Sequence, residues 1–479
     1  MAVNVVYISV FIIYLLLVLA IGAWGYRKGE DVEDFWVYGK ELGLWLATWS
    51  FCAAFVSAAS VIGFIGAIYG GGYSFMTGVI LGLMLGVSGL YFVVGKIREL
   101  DKITFPDIIA DVTGVQMSRP VTAAILLANG WFFLIMQLVG ASLLVTTITG
   151  VPYKYMVWVI GFVFITYTVL GGLVSVAWTD LVQGPVMVGA VLVTFLYMVV
   201  DLGGIAAINT RFAQISAGNV APLGDGAYTG IGLAATILAF FGTLLTTQRG
   251  IIRINATKDI KTAKLHIAIG GVILSMFYVF LVLLGGATTV ALTSAGLAVE
   301  NVDRAFPVLM MEYLPTALGS VLIVAVMSAI LSTTDTALHS VGVTTSRDIY
   351  DYFATDPSDE RLLTVSRLST IFWGITATAA AVNPPGTIIT IYNLRAVLLT
   401  SGLLIPVYIA LYNRNTFSGR ALITSMSLGG ASGIGWELMG GTFGIPATFV
   451  GVGFASISLL VVHLIDTRIQ SPQRVKAVE

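Results

Sequence analysis

The chain has 479 residues, of which 57% are hydrophobic and 10% charged, and its formal net charge at pH 7 is −1. A soluble fold of this length could not bury so much apolar surface. A net charge near zero means that there is no excess of basic residues with which to bind nucleic acid. The single cysteine, Cys52, excludes an internal disulfide and a cysteine-rich metal centre. The composition therefore predicts a protein of the lipid bilayer that does not bind nucleic acid.

Apolar runs of about twenty residues, the length that crosses a bilayer as a helix, recur along the whole chain. The first run lacks the basic leader and the cleavage site of a signal peptide, so we interpret it as a retained span. The thirteen predicted spans are residues 4–25, 44–70, 74–97, 120–148, 152–173, 178–201, 229–250, 263–292, 315–346, 361–382, 386–411, 419–440 and 446–466. The stretches between them are short, so we expect one all-α polytopic membrane domain over 1–479.

Basic residues are concentrated in one of the two sets of loops, which the positive-inside rule assigns to the cytoplasm. Lys154, Arg211 and Arg304 fall in the other set, and Arg395 falls within a span. The remaining 20 of the 24 are Arg27, Lys28, Lys40, Lys96, Arg98, Lys102, Arg119, Arg249, Arg253, Lys258, Lys261, Lys264, Arg347, Arg361, Arg367, Arg414, Arg420, Arg468, Arg474 and Lys476. We therefore expect a cell-membrane protein with its N-terminus outside and its C-terminus in the cytoplasm.

Three spans contain small or hydroxyl-bearing residues that favour a break in the helix. They are Ala53-Ala54 followed by Ser57 to Ser60 in the second span, Gly242 beside Thr243 in the seventh, and Ser332 to Thr336 in the ninth. Non-helical backbone at membrane depth is tolerated only inside protein or around a cavity. These spans are therefore candidates for a binding site.

The ninth span carries four hydroxyls and a carboxylate on about two helical turns, in the segment Ser332-Thr333-Thr334-Asp335-Thr336. Hard cations prefer oxygen ligands, whereas transition metals call for His or Cys, so sodium is the natural candidate. The alternative is that the hydroxyls bond to carbonyls four residues earlier and only hold helices together.

Arg395 lies near the middle of the eleventh predicted span, where a charge is costly and indicates a function. A guanidinium suits a carboxylate, so Arg395 is a candidate to bind a substrate carboxylate, with Tyr392 and Asn393 orienting it. The alternative is an internal ion pair with Asp335 or another buried acid.

Aromatic residues lie beside the predicted breaks in the second and seventh spans. They are candidates to line a small apolar pocket, although aromatics at such positions more often pack the core. The residues are Trp49, Phe51, Phe55, Phe240 and Phe241.

Three segments, in this order along the chain, resemble those of the sodium/solute symporter family, whose members carry proline, pantothenate, sugars, sialic acid and short monocarboxylates. The resemblance extends over nearly the whole chain. The segments are Gly171-Gly172 to Trp178-Thr179-Asp180 with Gln183, Gln248-Arg249 through Arg253 to Lys264, and Ala329 to Asp335 ending in Arg347-Asp348-Ile349-Tyr350.

This resemblance implies a fold of two inverted five-helix repeats, 44–201 and 229–411, with one helix before them (4–25) and two after (419–466). It places the substrate between the broken second and seventh spans, with alternating access from the two faces of the membrane. Phe55 stands where proline-carrying relatives have an acid, which disfavours proline itself.

The resemblance also implies a sodium site formed by backbone carbonyls and hydroxyls, at Ala53, Val56, Ala329, Ser332 and Thr333. Some members hold a second sodium, and the corresponding positions here are Asp180, Asp335 and Thr336. Asp335 replaces the serine of those members, so the second site could be occupied, altered or replaced by a protonatable carboxylate.

The sequence contains no nucleophile paired with a base, no glycine-rich phosphate loop and no metal-ligand spacing, which disfavours an enzyme. We expect a symporter that imports sodium with a small organic solute, a monocarboxylate, amino acid or pantothenate-like molecule being favoured by Arg395. The alternatives are sodium symport of a neutral solute such as a sugar, a channel, or proton-coupled transport. The sequence indicates no obligate protein partner.

Overall fold

The computed structural model describes residues 5–26, 41–102, 104–224, 230–414 and 416–476. Arg27, Lys28 and Lys40 of the basic-residue tally lie outside these ranges, and so do the side chains of Arg474 and Lys476. The described elements are helical, apart from an isolated parallel bridge between Leu42 and Thr257.

The first half of the chain begins with α1, and its second predicted span is divided between two helices joined by a π-helical turn at Ala59–Gly63. The helices are α1 (Val5–Tyr26), α2 (Leu44–Phe55), α3 (Phe64–Gly71), α4 (Ser74–Glu99), α5 (Phe105–Thr113), α6 (Ser118–Thr149), α7 (Tyr153–Asp201) and α8 (Ile205–Ile215).

The second half repeats the pattern of long and divided helices, with π-helical turns at Leu309–Tyr313, Thr344–Tyr350 and Thr400–Leu404. The helices are α9 (Gly230–Thr246), α10 (Gln248–Asn255), α11 (Ile260–Ser294), α12 (Ala305–Val308), α13 (Thr316–Val343), α14 (Asp351–Phe353), α15 (Asp359–Ala381), α16 (Ile388–Leu399), α17 (Ile405–Tyr412), α18 (Gly419–Leu438) and α19 (Ala447–Lys476).

Eight of the described helices are long and apolar enough to cross a membrane, or nine if the bent pair of α2 and α3 counts as one span. Shorter apolar helices, Val5–Leu17 and Tyr153–Val169, lie at the first and fifth predicted spans. The interruption predicted between 173 and 178 is absent, since α7 is one helix of 49 residues. At about 1.5 Å per residue this is longer than one crossing requires.

The break in the second span falls where the sequence predicts it. The pair α2 and α3 is bent by 51°, and Val56, which ends α2, has extended backbone with φ −89° and ψ 120°. An extended residue leaves carbonyls of the preceding turn without their helical donors. The break therefore exposes backbone oxygens deep in the bundle, because Ala53 and Ala54 are both buried.

The prediction of a break at Gly242 is wrong, because the seventh span breaks at Thr247, which is extended with ψ 124°. Gly242 lies inside α9, and a Cβ atom there would lie 2.5 Å from the Thr400 hydroxyl oxygen. Gly242 is therefore a close-packing position that lets α9 approach the π-helical turn after α16.

The prediction of a break in the ninth span is also wrong, because α13 is continuous through the hydroxyl-rich segment. The hydroxyls of Thr333, Thr334 and Thr336 donate to carbonyls four residues earlier, at 2.7, 2.6 and 2.9 Å. Helix α13 is therefore unbroken where it carries these hydroxyls.

Candidate functional site

The break after α2 brings backbone oxygens against α13. The Ser332 hydroxyl oxygen lies 3.5 Å from the Ala53 carbonyl oxygen and 3.3 Å from that of Ala329. All three residues are fully buried. With Thr333, whose hydroxyl donates to the Ala329 carbonyl, the structure brings together four of the five residues predicted for sodium, and Val56 lies at the adjoining break.

Gln137 of α6 connects this break to α13. Its Oε1 accepts the N–H of Ala58 at 2.9 Å, while its Nε2 donates to the Ile330 carbonyl at 3.1 Å and also to the Thr333 hydroxyl. Thr333 in turn donates to the carbonyl of Ala329 at 2.7 Å. Gln137 therefore sets the spacing between the two elements that would hold the cation.

Two of the residues predicted for a second cation meet around the guanidinium of Arg253. Its Nη2 donates to Asp180 Oδ2 at 2.9 Å and to the Thr336 hydroxyl at 2.7 Å, and its Nε donates to the Ser50 carbonyl at 2.8 Å. These side chains are at most 1% exposed. A fixed positive charge therefore already lies between Asp180 and Thr336.

Asp335, the third predicted residue, faces α7 instead. Its Oδ1 accepts a hydrogen bond from the Thr168 hydroxyl at 3.0 Å, and its Oδ2 has no hydrogen-bond partner among the described residues. The side chain is fully buried. A buried carboxylate with an open oxygen requires a proton or a cation to offset its desolvation.

Arg249 and Arg253 are not loop residues, which corrects the basic-residue tally. Helix α10 continues the seventh span beyond its predicted end at residue 250, and it buries Arg253 fully and Arg249 to 7% exposure. The positive-inside rule counts only charges in loops, so these two arginines do not bear on the orientation of the protein. The same set of loops remains the richer in basic residues.

Arg395 is buried, with 1% of its surface exposed. Its Nε donates to Asn129 Oδ1 at 3.1 Å, and its guanidinium carbon lies 4.7 Å from the Tyr392 ring centroid and 5.0 Å from that of Phe133. The alternative of an ion pair with Asp335 is therefore wrong. Within the described residues Arg395 has no carboxylate partner, and Asn393 beside it is half-buried.

The aromatic candidates divide into separate groups. Phe240 stacks on Tyr392 with ring centroids 5.0 Å apart, and Phe64 meets Tyr392 edge-on at 5.9 Å. Phe51 packs against Phe55 at 4.8 Å. We call Phe64, Phe240 and Tyr392 the aromatic layer, and Tyr392 is the member that contacts Arg395.

Phe51, Phe55 and Phe241 lie apart from this layer. Phe51 packs edge-on against His266 of α11 at 5.7 Å. The Phe55 carbonyl accepts the Tyr278 hydroxyl at 2.9 Å, while Phe241 faces Gly89 of α4. Of the five predicted pocket aromatics, Phe240 stacks on Tyr392 of the helix that carries Arg395.

Sequence reasoning missed three contributors on one face of α6. Asn129, Phe133 and Gln137 are spaced four residues apart and all point into the site, where they contact Arg395 and Thr333. Two lone amides eight residues apart in an apolar span were the available signal, because positions i, i+4 and i+8 share a helix face.

A broken helix that presents carbonyls to a hydroxyl-bearing helix, beside buried charges, is the arrangement by which secondary transporters bind a coupling cation. A profile of the Sodium:solute symporter family matches residues 35–465. The chain belongs to this family, as its three sequence motifs predict. It is a sodium-coupled solute symporter and not an enzyme.

Relatives in the family resemble the chain over most of its length. The osmoregulated proline transporter OpuE of Bacillus subtilis is 25% identical over 95% of this chain and 94% of its own. The sodium/pantothenate symporter of Haemophilus influenzae is 24% identical over 81% of each chain. A substrate-bound, outward-open Na+-coupled sialic acid symporter superposes with a TM-score of 0.83 over 98% of each chain, at 19% identity. This superposition confirms the predicted all-α, broken-helix transporter fold.

Proposed function

We propose that this symporter imports a small carboxylate-bearing solute together with sodium, by alternating access across the cell membrane. The observation that carries the proposal is Arg395, a guanidinium at membrane depth whose Nη1 and Nη2 have no hydrogen-bond acceptor among the described residues. Its guanidinium lies against the rings of Tyr392 and Phe133. An uncompensated buried charge is costly, and a substrate carboxylate would offset that cost.

The chemistry of the relatives' substrates supports this class of solute. OpuE carries proline, and the Haemophilus influenzae symporter carries pantothenate. Both molecules bear a carboxylate, and so does sialic acid. The oxygen ligands for sodium would be the carbonyls of Ala53, Val56 and Ala329 and the hydroxyls of Ser332 and Thr333, which suit a hard monovalent cation.

Asp335 is proposed to carry a second positive charge, as sodium or as a proton. Its open Oδ2 and full burial support this role. Asp180 and Thr336 contribute to that site only indirectly, because Arg253 is bound between them. In the proposed orientation the N-terminus is outside and the C-terminus is in the cytoplasm, as the loop charges favour.

The test is uptake into proteoliposomes of short monocarboxylates, amino acids, pantothenate, sugars and sialic acid, each with and without an inward sodium gradient. We expect sodium-driven accumulation of carboxylate-bearing members only. Arg395→Gln is expected to raise the half-saturating solute concentration at least about tenfold, since a hydrogen bond to a charged group is worth about 1.5–3 kcal/mol. Accumulation of a sugar, with Arg395→Gln unaltered, would contradict the proposal.

A further inference from the structure

A second guanidinium lies on the same phenylalanine as Arg395. The guanidinium carbon of Arg249 is 3.7 Å from the Phe133 ring centroid, and that of Arg395 is 5.0 Å from it. Arg249 also donates from Nη1 to the carbonyl of Ala54, at the break after α2. Two cations therefore share one aromatic ring between α6, α10 and α16.

Neither guanidinium has an acidic partner within the described residues. Two fully buried aspartates bind other residues: Asp180 binds Arg253, and Asp335 binds Thr168. Two like charges at low dielectric repel each other as well as losing hydration. The site therefore lacks two units of negative charge.

Polar atoms without partners converge beside Arg249. A small cavity of about 20 Å³ is lined by Arg249, Asn129, Thr247, Gln248 and Ser340 among others. The Thr247 hydroxyl, the Gln248 Nε2 and the Ser340 hydroxyl are buried there without a hydrogen-bond partner among the described residues. Buried polar groups are normally paired, so a set of open donors around a cation indicates a ligand rich in acceptors.

We propose that Arg249 and Arg395 form a two-guanidinium site for a solute with two carboxylates, one on each arginine. The inference rests on the proposed function and deepens it, because it names dicarboxylates as the substrate class. Two carboxylates match the two uncompensated charges, and each can accept bidentate hydrogen bonds from a guanidinium. The cavity has room for about one water molecule, so the helices around it must separate to admit the solute.

The experiment compares succinate with succinamate, which has the same length but one carboxylate, as competitors of sodium-driven succinate uptake in proteoliposomes. We expect wild-type protein to prefer succinate by about 10- to 100-fold, the worth of one charged hydrogen-bonding contact. In Arg249→Gln this preference should fall to about threefold or less, and Arg249→Lys should restore part of it.

A second measurement uses only the wild-type protein, so its result does not depend on whether a variant folds. Succinate should raise the unfolding temperature of the purified symporter in sodium more than succinamate does, since a tighter ligand stabilises more at equal concentration. Equal competition and equal stabilisation by the two compounds would overturn the dicarboxylate site. Sodium-driven uptake of a monocarboxylate would then leave the proposed function standing, whereas no sodium-driven uptake of any carboxylate would remove both.

Discussion

The hydroxyl of Ser332 lies 3.5 Å from the Ala53 carbonyl oxygen, so its removal tests the sodium site directly. We expect Ser332→Ala to raise the sodium concentration for half-maximal uptake by about tenfold or more, as for the loss of one charged contact. Thr334→Ala is the matched control, because the Thr334 hydroxyl bonds only to Ile330 of its own helix among the described residues. Unchanged sodium activation in Ser332→Ala would remove this residue from the site.

A buried acid outside the spans gives a pH dependence with a defined sign. Asp303 accepts the N–H of Ile388 at 3.0 Å, at the start of α16, and burial raises the pKa of its carboxyl despite that hydrogen bond. A raised pKa means that ionisation costs stability, so the free energy of unfolding falls as pH rises through the folded-state pKa. We expect Asp303→Asn to reduce this fall, measured by thermal unfolding in detergent from acidic to neutral pH.

Asp259 is a control, because its effect on stability has the opposite pH dependence. It is exposed and caps α11, where the backbone N–H of Thr262 lowers the pKa of its carboxyl. Stability from a lowered pKa is present above the unfolded-state pKa and is lost as pH falls. Asp259→Asn should therefore change the acidic side of the profile. An unaltered profile in Asp303→Asn would contradict the role of that buried charge.

At the scale of the helix, glycines let α4 approach α9. A Cβ atom on Gly82 would lie 2.7 Å from the Ile237 carbonyl oxygen, a backbone atom that cannot rotate away. We expect Gly82→Ala to destabilise the protein by about 1–3 kcal/mol, the usual cost of overpacking. Thermal unfolding in detergent measures this change. Gly189→Ala, which meets nothing within 4 Å, should be neutral or stabilising, and equal effects at both positions would refute the packing argument.

The sequence predicts helix positions better than helix breaks. The break after Ala53-Ala54 has small residues and serines on both sides, and it forms there. Thr247 breaks its span where the local signal is only a pair of threonines, Thr246 and Thr247. Tertiary contacts of α10, including Arg253 with Asp180, stabilise the extended residue. Propensity is a weak prior that such contacts override.

The candidate site could be predicted from sequence only in part. Resemblance to the family placed Ala53, Ala329 and Ser332, and the structure brings them together. Arg249 was missed because it lies one residue before the predicted end of its span, where a basic residue is normally counted with the loop charges. Which acids and bases meet depends on contacts between distant helices, and one sequence does not encode those contacts in any local pattern.

At the scale of the whole molecule, the buried charges set what moves across the membrane. One elementary charge crossing about 100 mV is worth about 2.3 kcal/mol, or roughly fifty-fold accumulation. A solute with two carboxylates, one sodium and a second cation at Asp335 would cross without net charge. The membrane potential would then contribute nothing, and the cation gradients alone would drive uptake.

Asp335→Asn tests this charge balance. We expect the variant to carry one positive charge fewer per solute, because a neutral amide has no negative charge with which to bind a cation or a proton. Reversal-potential measurements in proteoliposomes give the charge moved per solute. Glu437→Gln is the control, since Glu437 is half-buried in α18, outside the proposed site. An unchanged ratio in Asp335→Asn would exclude a second cation at this residue.

The aromatic layer of Phe64, Phe240 and Tyr392 has a consequence for release. Tyr392 of this layer lies against the guanidinium of Arg395, which is 1% exposed, and a Coulomb attraction in such a dry place is far stronger than in water. A carboxylate held there cannot leave until water molecules enter and take over its hydrogen bonds. Unloading is then a hydration event, and its rate is set by how readily the opposite side of the site becomes wet.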